Sequence, residues 1–169
     1  MNKVIPLAVF FLLLVASPSG AQQAGLIDVF DDWSAFTSTE SGAPVCYIGS
    51  EPTKATGDYK KRGKTYILIT HRPAENALGV VSLEAGYAFK PGSGVDVAIG
   101  TNQFTLFTDG SNAWADDAKA DQALVRAMRA GAIMEVSGTS GRGTLTKDTY
   151  SLKGITAAYK AASKACGVK

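Results

Sequence analysis

Along most of the chain, apolar and polar residues alternate in short runs, which is the period of a β-strand rather than of a helix. In residues 45–49 the alternation places Cys46 and Ile48 on one face and Val45 and Tyr47 on the other. Residues 26–36 read as a first strand through Ile27, Val29, Trp33 and Phe36, with the Asp31 and Asp32 pair marking a bend or bulge. Residues 65–71 read as a third strand, stopped by Pro73, and residues 78–83 as a fourth. Residues 95–99 and 103–108 flank Gly100, Thr101 and Asn102, a short hairpin loop, and residues 113–115 extend the same sheet. Residues 133–138 and 144–150 form a late strand pair joined by a glycine-rich turn.

Two segments carry the helical period instead. Residues 117–130 begin with acidic side chains and end with Arg126 and Arg129 before Gly131, a charge order that suits the helix dipole. The apolar stripe there is Ala120, Leu124, Ala127 and Met128. The second helix starts at Ser151 or Leu152, runs to Ala165 and closes at Gly167. On it Leu152, Ile155, Tyr159, Ala162 and Cys166 share a face. Some eight short strands with two late helices, and no alternation of strand and helix, argue against a parallel sheet. The expected fold is mainly β: an antiparallel β-sandwich of Ig-like dimensions with two short helices in the C-terminal half. A small barrel with a covering helix is the alternative.

The N-terminus has a different character. Lys3 precedes an apolar run from Val4 to Val15, and Ser19, Gly20 and Ala21 follow the small-x-small rule of signal peptidase. The run is too short for a membrane span, which needs ~20 residues. Residues 1–21 are therefore expected to be a cleaved signal peptide, and residues 22–169 a single exported domain without a transmembrane segment. Periplasm, outer-membrane surface and secretion to the medium all fit that reading. Without Lys3 the formal charge falls from +2 to +1, which gives no reason to expect nucleic acid as a partner.

Export gives the two cysteines a meaning. Cys46 and Cys166 lie 120 residues apart, which excludes a CxxC redox pair and a local zinc knuckle. Both are placed inward by the periodicity of their own segments, so a disulfide is expected; two buried thiols are the alternative. With His71 as the single imidazole, no metal cluster is expected.

Catalytic patterns are lacking. There is no HExxH and no GxSxG. Residues 138–144 contain GxxGxG between two strands, which fits a hairpin turn and not a dinucleotide site. Two basic features stand out as candidate partner-binding positions. One is the run Lys60, Lys61, Arg62 and Lys64, otherwise a solvated loop; the other is Arg142 on the glycine-rich turn. Asp116 and Asp117 are read as helix caps, Trp33 and Trp114 as core or rim aromatics, and His71 as structural.

Several segments taken together resemble a known family. They are Phe104-Thr105-Leu106-Phe107-Thr108-Asp109-Gly110, Ala113-Trp114-Ala115, Gly138-Thr139-Ser140 and Arg142-Gly143-Thr144. Asp148-Thr149-Tyr150-Ser151-Leu152 and Lys164-Ala165-Cys166-Gly167-Val168 continue the pattern. Val45-Cys46-Tyr47 and Thr70-His71-Arg72-Pro73 precede it. The chain resembles the invasion-associated locus B family over nearly all of residues 22–169. The resemblance implies a signal peptide, an envelope location and a β-sandwich-like domain, with a link to host-cell entry in the founding members. It implies no catalytic residues and no cofactor. Some relatives carry a cysteine soon after the first-strand tryptophan; here Trp33-Ser34-Ala35-Phe36 has none. The expected function is binding of an envelope or host macromolecule, with a periplasmic hydrolase or a small-ligand or lipid carrier as rivals.

Overall fold

The computed structural model describes residues 24–168, so the predicted signal segment lies outside the described residues. The strands are β1 (Gly25–Phe30), β2 (Trp33–Glu40), β3 (Ala43–Ser50), β4 (Lys54–Gly57), β5 (Tyr66–Arg72) and β6 (Ala77–Glu84). They continue as β7 (Val95–Ile99), β8 (Asn102–Asp109), β9 (Asn112–Trp114), β10 (Ile133–Thr139) and β11 (Leu145–Ser151). All pair antiparallel in one eleven-stranded sheet of order β1-β2-β3-β5-β6-β9-β8-β7-β10-β11-β4.

The sheet forms two layers because β8 belongs to both. Its first part, from Asn102 to Leu106, pairs with β7, while Phe107, Thr108 and Asp109 pair with β9. The layers share one buried cluster. Ile48, Ile67, Ile69 and Leu83 come from one side, and Val95, Val97, Met134 and Tyr150 from the other. Alternation decides this: on strands such as β6, β7, β10 and β11 the residues at every second position face inward. Trp33, fully buried, ties the layers at one end by donating its indole N–H to the Ser151 carbonyl at 3.0 Å. The outer strands β1 and β4 do not pair with each other, so the sheet is not a closed barrel.

Three local readings change. The expected first strand is two strands, β1 and β2, joined by a tight turn at Asp31 and Asp32. Asp31 takes φ 51°, a left-handed turn conformation that aspartate tolerates. The bend expected at the aspartates is this turn, and a register shift lies within β1, between Leu26 and Asp28. The second change is β4, whose four residues, Lys54 to Gly57, are all exposed and carry no buried face to announce a strand. It is held by its register with β11, from Thr146↔Gly57 to Thr149↔Lys54. The third is the start of the last helix. β11 runs to Ser151, and Gly154 then makes the turn at φ 90°, where an added Cβ would collide with the Phe30 carbonyl.

The helices fill what the strands leave open. α1 (Ala118–Ala130) is capped by Asp117, whose side chain accepts from the Ala120 amide at 2.8 Å. Its inward face is Asp121, Leu124, Val125 and Met128. The buried Asp121 accepts the Val81 amide at 2.9 Å. β9 reaches only Ser82, Leu83 and Glu84 of β6, so the carboxylate takes over where the ladder stops. α2 (Ile155–Ala165) packs over β1, β2 and β3. At its end Cys166 forms a disulfide with Cys46 of β3, closing a sequence separation of 120 residues. Among the described residues no helix is long and apolar enough to cross a membrane.

Candidate functional site: a cationic groove

β11 explains where the site forms. Its inward face carries Thr146, Asp148 and Tyr150, and Asp148 is only 2% exposed. A buried carboxylate needs a partner. Arg62 supplies it as a two-pronged pair, with Nη1 and Nη2 each 2.6 Å from one carboxylate oxygen. The Arg62 side chain is 6% exposed, and its Nε donates to the Ala85 carbonyl at 2.6 Å. Burial works against its charge, but Asp148, with Tyr59 and Tyr87 adding to it, outweighs burial and lifts the guanidinium further above its usual range. Tyr59 and Tyr87 lie against the guanidinium, at 5.7 and 5.0 Å from centroid to Cζ.

Arg62 is therefore not the solvated loop cation that the basic run suggests. It anchors the loop between β4 and β5 across the core. A close backbone approach seats that loop as well. Gly63 donates to the Gly86 carbonyl at 2.9 Å, and Gly86 sits at φ 72°. A Cβ on Gly86 would lie 2.5 Å from the Gly63 carbonyl oxygen, so only glycine fits.

The hairpin turn between β10 and β11 approaches from the other side. Ser140 donates to and accepts from Thr144, by its amide to the Thr144 carbonyl at 2.9 Å and by its Oγ from the Thr144 amide at 3.2 Å. Gly141 donates to the Ala88 carbonyl at 2.8 Å, which pins the turn to the segment holding Tyr87. Tyr87 donates its hydroxyl to Thr146 Oγ1 at 2.6 Å, because Thr146 spends its own proton on the Gly138 carbonyl. Burial raises the Tyr87 pKa and keeps that phenol protonated.

Between loop and turn lies an open groove of about 930 Å³. Asp58, Tyr59, Lys60, Lys61 and Arg62 form one wall; Ser140, Gly141, Arg142 and Thr144 form the other; Tyr87, Ala88 and Thr146 complete the lining. Two basic features about 80 residues apart in sequence thus meet at one site. Lys60, Lys61 and Arg142 are exposed and make no ion pair among the described residues. Lys64 is exposed but does not line the groove. The rim carries three cations against the Asp58 carboxylate, an excess equal to the formal +2 of the whole chain.

His71 sits elsewhere, fully buried on β5. Its Nδ1 accepts the Gly79 amide at 3.1 Å, so the proton is on Nε2, which faces Ser163 Oγ at 3.1 Å. A nitrogen that already carries a proton cannot take one from serine, and no carboxylate orients the ring. This serine–histidine pair therefore lacks the arrangement of a nucleophile with its base. Burial lowers the His71 pKa. The consequence is a loss of stability on acidification: below the ordinary histidine pKa of ~6.5 the unfolded chain takes up a proton that the folded chain resists. The loss continues until the depressed folded-state pKa is passed. Asp121, whose pKa burial raises, acts with opposite sign at lower pH, above the ordinary carboxylate value. Urea midpoints at pH 7.5 and 5.5 should differ in the wild type and converge in His71→Gln.

No curated protein matches the sequence. The fold resembles the crystal structure of invasion associated protein B from Bartonella henselae, with TM-score 0.55 and 15% identity, covering 82% of this chain and 95% of that one. The family model for invasion associated locus B (IalB) protein matches residues 33–163, from the buried Trp33 through both walls of the groove to the last helix. The chain belongs to the invasion associated locus B family.

Proposed function

We propose that the protein is exported to the cell envelope and works there by binding a macromolecule in the groove between the Lys60–Lys61 wall and the Arg142 turn. The observation that carries this reading is the convergence of the two loops on one cationic groove, one wall of which is locked from behind by the buried Arg62–Asp148 pair. Neutralised and buried, that pair holds the loop in place and leaves the rim cations available. Export is supported by the disulfide, which persists in oxidising compartments, and by family membership. The expected cleavage after Ala21 leaves Gln22 as the first residue. Host-cell contact and envelope upkeep are both settings in which such a binder would act.

The test is photo-cross-linking in intact cells. A photoreactive residue at position 142 or 61 should capture the same macromolecular adduct, and one at the exposed position 122 on α1 should not. Adducts from 122 alone, or none from 142 and 61, would remove the groove as the binding surface. N-terminal sequencing of the protein recovered from the periplasmic fraction should begin at Gln22.

A further inference from the structure

We infer that the macromolecule held in this groove is an acidic glycan, a sugar chain bearing carboxylate, phosphate or sulfate groups. The inference rests on the proposed function and names its ligand. The rim cations Lys60, Lys61 and Arg142 call for negative charge. Charge alone would suit any polyanion, but the same groove holds groups that a bare polyanion does not use. Asp58 stands among the cations as an acceptor, which repels a uniformly anionic chain and suits the hydroxyls of a sugar. Tyr59 and Tyr87 line it with aromatic surface, and Ser140 and Thr144 add hydroxyls. Aromatic rings beside fixed hydroxyls and a lone carboxylate fit the apolar faces and polar edges of a pyranose.

Two rival classes fit less well. A peptide bound as an added strand needs a free strand edge, yet the groove is lined by loops and by Thr146, whose strand is already paired on both sides through β10 and β4. A nucleic acid chain needs a run of phosphate contacts, and three rim cations opposed by Asp58 offer few.

Calorimetric titration of the oxidised protein at low ionic strength decides the matter. The probes are oligogalacturonide, dextran sulfate, neutral maltohexaose, polyglutamate and oligothymidylate. At least one of the two acidic glycans should bind about tenfold tighter than polyglutamate and maltohexaose, and weaken as salt is added. Changing Lys60, Lys61 and Arg142 together to glutamine should weaken glycan binding by about tenfold, since each exposed charge contributes a small factor, with the melting temperature unchanged. Tyr59→Leu should weaken the glycan more than it weakens polyglutamate. Equal or tighter binding of polyglutamate or oligothymidylate would overturn the glycan assignment while leaving macromolecular binding intact. Failure of both acidic glycans, with the cross-link from position 142 still formed in cells, would likewise sink the glycan and spare the groove. Loss of that cross-link would sink the function on which it rests.

Discussion

Replacing Cys46 and Cys166 together by alanine should lower stability by about 4–5 kcal/mol, the entropy recovered by the unfolded chain when so long a loop is opened. Typical domains have only about 5–15 kcal/mol in total, so the variant should sit close to its unfolding threshold at body temperature. The structural consequence is local. α2 rests on β1, β2 and β3, and the bridge from Cys166 to β3 fixes its end. Hydrogen exchange in α2 should therefore accelerate more than in β7, β10 or β11, which lie in the other layer. Urea unfolding of the wild type with and without reductant measures the same quantity without mutation. A shift of under about 1 kcal/mol would mean that the reduced chain is nearly as constrained as the oxidised one.

Asp148→Ala should cost about 3–5 kcal/mol, because it strands the Arg62 guanidinium in the core with no counter-charge. The double variant Arg62→Met with Asp148→Leu should be more stable than the single one, since both desolvated charges leave together. The comparison separates two roles of the pair. Stability should largely return in the double variant. The loop of residues 58–65 should not regain its seat, because the Arg62 bond to the Ala85 carbonyl and the stacking on Tyr59 and Tyr87 are gone. Chemical denaturation gives the first result; protease sensitivity of the loop gives the second. Equal stability of single and double variants would show that the charges are not desolvated as the burial implies.

Much of this architecture is legible in the sequence wherever a strand buries one face. Residues 95–99 and 133–138 alternate between buried and less buried positions, and each lies in a strand. The disulfide of Cys46 with Cys166 is to be expected of two cysteines in an exported chain, and a strand period and a helix period, read separately, agree with it. Legibility fails where the information is not local. β4 has the sequence Lys-Ala-Thr-Gly and exists because β11 offers a partner ladder. Asp121 looks like a surface acid on a helix, yet it completes a strand that β9 is too short to cover. Arg62 reads as one cation of a solvated run, because its partner Asp148 is 86 residues away. The one available signal was on β11, where alternation puts a carboxylate in the same row as Thr146 and Tyr150. That row announces a buried charge without saying what neutralises it. The groove is illegible for the same reason. Both basic walls can be seen in the sequence, but their meeting depends on Gly86, Ala88 and the Asp148 pair, none of which carries a binding pattern of its own.

The measurement that bears most directly on the central claim is hydrogen–deuterium exchange of the oxidised protein, alone and with a solubilised envelope fraction of the cells that make it. Residues 58–62 and 140–144 should be protected together, with α1 unchanged. Protection confined to one wall, or placed on another surface such as the β1 edge, would contradict it.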